Sequence, residues 1–185
     1  MRSNPEVSAA LRQLLGPVAE SAEVPLDSSG HSIGMLRFED QPCDGATTFV
    51  TTGLSSLPWH TLNHELLMCL WRDEFSREMQ LVLEFVARAL AGGLEPLQEG
   101  DVLPPAGPLS PATSMVALYV CSPRYFPEAL EQLEASGGRT VRLLWLVPLH
   151  ATEVEFVVAR GSAELEARLA AANPDLLSLL RPPIA

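Results

Sequence analysis

His60 and His64 stand four residues apart, and Glu65 follows directly. On a helix that spacing puts both imidazoles on one face, where with a third ligand they could hold a metal ion and serve a metal-dependent hydrolase. The pattern is neither HExxH nor HxxEH. The competing reading makes Trp59-His60 a turn and leaves the two histidines as unrelated side chains at a strand entrance. Cys43, Cys69 and Cys121 lack CxxC spacing and give neither a zinc knuckle nor a disulfide framework. Cys121 ends an expected buried strand, where a thiol is usually a small hydrophobe with a raised pKa. No GxSxG elbow is present. Gly92-Gly93, Gly137-Gly138 and Gly161 fall at expected helix ends, where glycine caps carbonyls, and not at helix starts, where amides cradle phosphate. All 12 basic residues are arginine, which removes the phosphate-loop lysine and the Schiff-base lysine from consideration. No catalytic site and no cofactor are expected.

With 12 basic against 23 acidic residues the net charge is -11, and the summed field repels phosphates and anionic headgroups. Nucleic acid and membrane surfaces are therefore poor partners, whereas a basic protein is a good one. The amino-terminal stretch lacks the order of a secretory signal, no apolar run reaches the length of a membrane span, and the thiols suit a reducing compartment. The expectation is a cytoplasmic protein. Glu95, Glu99, Asp101, Glu128, Glu131 and Glu134 are the acidic residues expected at the surface, and the Thr51-Thr52-Gly53-Leu54 turn is expected to be exposed as well. Trp59 and Trp71 could anchor an interface or pack in the core.

The elements that would position these residues follow from periodicity. A helix spans residues 1–17, with Asn4 as cap and Gly16-Pro17 as stop. Ile33 to Phe38 and Thr47 to Thr52 read as neighbouring strands turned by Asp44-Gly45, and Glu65 to Trp71 as a third strand. Met79, Leu83, Val86 and Leu90 trace a helix capped by Ser76 and closed by Gly92-Gly93. After a proline loop at 104–111, Met115 to Cys121 and Val141 to Val147 are strands, the latter apolar enough to lie centrally. Pro127 to Ala135 reads as a short helix, Thr152 to Glu155 as a capping box, and a last helix runs from Ser162 to Asn173-Pro174. The whole reads as one domain, an α/β (α+β) sandwich.

Several phrases recur in a family order: Thr51-Thr52-Gly53-Leu54-Ser55, Glu65-Leu66-Leu67, Gly100-Asp101-Val102-Leu103, Tyr125-Phe126, Leu144 to Leu149 with Glu153 and Glu155, Asn173-Pro174-Asp175, and a late Arg181. Over about residues 28 to 183 they resemble the suppressor-of-fused (SUFU) domain family, in particular its stand-alone bacterial members. The resemblance implies a mixed sheet with helices packed on its faces and no recognised catalytic centre. The family's eukaryotic member holds a transcription factor through an extended peptide and carries a second, carboxy-terminal domain that is not expected here, so its peptide-clamping mode is not expected to carry over. Bacterial members are associated with polymorphic-toxin loci, where they look like immunity proteins. The expected function is a non-enzymatic protein-binding module that neutralises a basic toxin domain, with sequestration of a host factor as the alternative.

Overall fold

A strand that is apolar at consecutive positions must be covered on both faces. The computed structural model, which describes residues 4–26, 31–57, 62–103, 109–111, 113–135 and 138–185, places such a strand at the middle of its sheet. That strand is β8 (Arg139–His150), preceded in the chain by β1 (Glu20–Pro25), β2 (Ser32–Glu39), β3 (Ala46–Thr52), β4 (His64–Trp71), β5 (Val102–Leu103), β6 (Met115–Cys121) and β7 (Gln132–Ala135). The spatial order is β1-β2-β3-β4-β8-β6-β5, with β7 added along β8. Only β4 and β8 run parallel among these pairs, so the sheet is mixed.

Alternation then sorts the side chains into two cores. Leu143, Trp145 and Val147 join Leu67 and Cys69 on one face, beneath α1 (Pro5–Leu15), α3 (Ala151–Arg160) and α4 (Ser162–Ala172). Leu144 and Leu146 join Leu66, Met68 and Leu70 on the other, beneath α2 (Arg77–Ala91), whose Met79, Leu83, Val86 and Leu90 are buried. Each fully buried side chain of this size contributes roughly 1.5–3 kcal/mol. The α+β architecture expected from the sequence is the one observed.

Local signals explain most boundaries. The Asn4 side chain accepts from the amides of Glu6 and Val7 and starts α1, as expected. Gly45, at φ 84°, turns the chain between β2 and β3 and donates its amide to Asp40. Asn173 ends α4 in the left-handed conformation.

Two expectations need correction, and one strand lies outside them. Residues 127–135 are not a helix: a single 3-10 turn at Glu128–Leu130 leads into β7. Leu133 is the buried residue of an exposed–buried–exposed alternation, and pairing with Arg139–Arg142 of β8 outweighs the helical preference of Glu, Gln and Leu. The capping box of α3 is His150 with Glu153, two residues before the expected Thr152 cap, so the helix begins at Ala151. Edge strand β1 has no clear strand signal in the sequence, because half of ESAEVP is polar and Val24 is its one buried residue.

Candidate functional site

The Thr51-Thr52-Gly53-Leu54 turn is not exposed. Thr51, Thr52 and Leu54 are fully buried, and the turn closes around the carboxylate of Glu65 on β4, itself 0% exposed. Glu65 Oε1 accepts from the Gly53 amide (2.8 Å), the Ser55 amide (3.1 Å) and the Ser55 hydroxyl (2.7 Å). Its Oε2 accepts from the Thr51 hydroxyl (2.8 Å) and the Leu54 amide (3.2 Å). Gly53, at φ 122°, supplies the backbone bend that lets successive amides converge on one group. Thr51 in turn accepts from the Leu66 amide, which couples the turn to β4. Burial pushes the Glu65 carboxyl above the ordinary carboxylate range, and its hydrogen bonds limit the rise. With all five of these donors supplied by the fold itself, the turn is a scaffold element around the carboxylate.

A second buried carboxylate, Glu153, is paired. Its oxygens accept from Arg181 Nη1 (2.5 Å) and Nη2 (2.9 Å), from the His150 amide (2.8 Å) and from the Ile184 amide (3.1 Å). Burial would raise this carboxyl, but the guanidinium and amide donors outweigh it and hold the group below its ordinary value. Arg181 also donates to the Pro148 carbonyl, so the pair clamps the carboxy-terminal segment to the junction of β8 and α3.

His64 opens a strand, not a helix, so the helical spacing assumed for a metal pair with His60 does not apply to it. His60 and Trp59 lie outside the described residues, and no cluster of three or more His, Cys, Asp or Glu with metal-holding geometry occurs among those described. His64 is 2% exposed, and its Nε2 atom has no hydrogen-bond partner. Burial, reinforced by the Arg142 charge, pulls its pKa down to about 4. The unfolded chain takes up this proton near pH 6.5 and the native chain does not. Stability is therefore full above pH 6.5 and falls by roughly 1.4 kcal/mol per pH unit towards pH 4, about 3 kcal/mol in all. Urea midpoints at pH 7.5 and 5 should differ clearly in the wild type and much less in His64→Phe; equal differences in both would assign the acid sensitivity elsewhere.

The acidic candidates are partly assembled. Arg142 of β8 is paired in register with Gln132 of β7 and forms an ion pair with Glu99. This brings Glu99 beside β7, where Glu134 is exposed, Glu131 is half-buried and Glu128 is exposed one turn earlier. Asp101 is half-buried and its carboxylate accepts from the Gln98 amide, shaping the loop into β5. Glu95 is exposed after α2, and no hydrogen bond or ion pair among the described residues ties it to the group. Trp71 is half-buried and donates its indole N–H to Asp175 (2.7 Å) beside Tyr125, whose hydroxyl donates to Pro174. With Pro42, Cys43 and Leu177 these residues line an open groove of about 500 Å³.

The arrangement defines an α+β domain on a mixed sheet, whose two fully buried carboxylates, Glu65 and Glu153, hold a turn and the carboxy-terminal segment. Residues 29–182 match the family model of suppressor of fused protein (SUFU), and the chain belongs to that family. Its fold matches a SUFU homologue from Neisseria gonorrhoeae FA 1090 with a TM-score of 0.81 at 19% identity, over 99% of this chain and 97% of that one. It matches the Sufu protein solved in a Sufu–Fu complex with a TM-score of 0.66 at 16% identity, covering 94% and 86% of the two chains. Drosophila Suppressor of Fused aligns with a TM-score of 0.65 at 15% identity, over 94% of this chain and 48% of that one. None of the curated proteins matches the chain. No helix among the described residues is long and apolar enough to cross a membrane.

Of the residues that define the site, Glu65 and Arg181 were placed in the family pattern without a role. A signal for Glu65 is present in HELLMCLW, where an ionisable residue inside an apolar strand requires a cradle, and Thr51 and Ser55 are hydroxyl donors one turn away. Arg181 has no such local signal, since its partner lies 28 residues earlier in the chain.

Proposed function

We propose that this chain is a non-enzymatic protein-binding module, and specifically a cytoplasmic immunity protein that captures and neutralises a basic toxin domain. What supports the reading is the acidic character of the chain, net charge -11, with Glu128 and Glu134 exposed and Glu131 half-buried on and just before β7. Toxins that act on nucleic acids are commonly basic because their substrates are anionic, so complementary charge would steer their capture. Family membership adds support, since a related Sufu protein has been solved in complex with Fu.

The reading predicts a stoichiometric complex with one co-encoded basic protein, recovered by affinity capture from the native host. Its association rate should drop at least about tenfold between 50 and 500 mM salt, whereas dissociation changes little. Reversing Glu128, Glu131 and Glu134 to arginine should remove the salt dependence and slow association by a similar factor. Rescue of cells from that protein distinguishes immunity from sequestration of a host factor. A salt-independent complex that the triple reversal leaves intact would move the interface off these residues.

A further inference from the structure

Trp71 closes β4 and Tyr125 follows β6, and the fold brings both to one open groove of about 500 Å³ with Pro42, Pro174, Leu177 and Asp175. Each aromatic is held in place. The Trp71 backbone amide donates to the Leu177 carbonyl, and its indole N–H donates to Asp175 Oδ2 at 2.7 Å. The Tyr125 ring packs against Trp145 with centroids 5.2 Å apart, and its hydroxyl donates to the Pro174 carbonyl. Groups fixed before a ligand arrives lose little freedom in binding it.

The carboxylate of this groove carries an unmatched charge. Asp175 is exposed; its Oδ1 accepts from the Leu177 amide and its Oδ2 from the indole, so each oxygen keeps a second acceptor position and neither donor is a cation. The two arginines nearest in the chain are engaged elsewhere. Arg72, which follows Trp71, pairs with Glu39 and Asp40, and Arg124, which precedes Tyr125, pairs with Glu166. Among the described residues no ion pair reaches Asp175 or the exposed Asp44. Both charges act on the groove wall at Cys43, whose thiol is pushed up by burial and then by Asp175 and Asp44. Aromatic and proline surface thus adjoins uncompensated negative charge.

We propose that this groove receives an arginine side chain of a protein partner, its stem on Pro42, Pro174 and Leu177 and its guanidinium between the aromatic wall and Asp175. An anion is repelled by the carboxylate, and an apolar side chain would cover that charge without pairing it. A metal ion lacks ligands, since no group of three His, Cys, Asp or Glu with metal-holding geometry occurs among the described residues. Lysine offers a compact, strongly hydrated ammonium, whereas a guanidinium stacks on aromatic rings and presents a fork of donors to a carboxylate. The proposal rests on the binding-module reading above but uses a separate surface. Gln132 of β7 pairs with Arg142, which is level with His64, so Trp71 lies roughly 20 Å away at the opposite end of β4.

The test titrates Nα-acetyl-arginine amide into the isotope-labelled full chain and follows the indole N–H resonances by NMR, Trp71 being assigned from its loss in Trp71→Phe. The Trp71 resonance should shift and saturate with a dissociation constant on the order of 1–10 mM. The citrulline analogue has the same shape without the charge and should bind at least about tenfold more weakly, and the lysine analogue about threefold more weakly. Tyr125→Leu removes an aromatic wall and should weaken the arginine probe about three- to fivefold, whereas Tyr125→Phe keeps the ring and should stay within about twofold of the wild type. Asp175→Asn keeps an acceptor for the Leu177 amide and should weaken binding about tenfold. The absence of a saturable shift, a citrulline or lysine analogue as tight as arginine, or a Tyr125→Leu or Asp175→Asn variant that binds like the wild type each overturns the proposal. The probe carries no toxin surface, so a shift without a captured partner counts against the immunity role alone, and a captured complex without a shift counts against this groove alone.

Discussion

Replacing Glu65 by alanine is expected to remove on the order of 4 kcal/mol of folding stability, a large share of the roughly 5–15 kcal/mol that holds a domain of this size together. The carboxylate is the common acceptor for the Gly53, Leu54 and Ser55 amides and for the Thr51 and Ser55 hydroxyls. Two hydroxyls can rotate to other acceptors. Three backbone amides in a buried turn cannot, and each unsatisfied donor costs about 1–3 kcal/mol. Glutamine separates this account from simple loss of packing. Its carbonyl oxygen can keep the three bonds now made by Oε1, and its amide can donate to the Thr51 hydroxyl, which has acceptor capacity beside its bond from Leu66. Only the Leu54 amide then loses its partner, and Glu65→Gln should cost about 1–2 kcal/mol. Urea denaturation of the two variants at pH 7 provides the comparison. Equal losses within about 0.5 kcal/mol would mean that the turn does not depend on the acceptors.

The same turn shows where a sequence reading of this chain succeeds and where it stops. The strands β2, β3, β4, β6 and β8 and the helix α2 are legible because burial on both sides of the sheet writes itself as runs of apolar residues and as a helical apolar stripe. Thr51 to Leu54 look exposed from composition, since Thr and Gly are common in surface turns. Their burial depends on Glu65, a dozen residues away, and on the Ser55 carbonyl accepting from Arg139 of β8. Residues 127–135 fail for a related reason: nothing local announces that β8 is long enough to carry β6 on its second half and β7 on its first. The edge at β7 was half legible. Its glutamates were visible as charges, but the placement of Glu99 beside them required the ion pair to Arg142, and Arg142 is drawn there by strand pairing.

Long-range polar pairing also governs the carboxy-terminal segment, and Arg181→Ala should release it. The substitution leaves the Glu153 carboxylate, 0% exposed, without its charge partner, a situation that costs about 3–5 kcal/mol. The tail residues Leu176, Leu177 and Leu179, buried against the sheet, would then be held by packing, by backbone bonds and by the side-chain bonds of Trp71, Glu74 and Thr113 to the same segment. The effect should depend on pH with a definite sign. In the wild type Glu153 is held below its ordinary value, so its contribution is complete above about pH 5 and is lost as the pH falls through the native value. Without Arg181, burial dominates and the carboxyl rises instead, so the variant recovers stability by taking up a proton as the pH is lowered. The difference in urea stability between wild type and variant should therefore be largest at pH 7 and shrink towards pH 4. Acid sensitivity from His64 is common to both proteins and cancels in the difference. Replacing the pair together, as Glu153→Gln with Arg181→Met, should cost less than Arg181→Ala alone, because no uncompensated charge remains in the interior. A difference that stays constant with pH, together with a double variant worse than the single one, would mean that Arg181 contributes through packing and its Pro148 bond and not through the charge of Glu153.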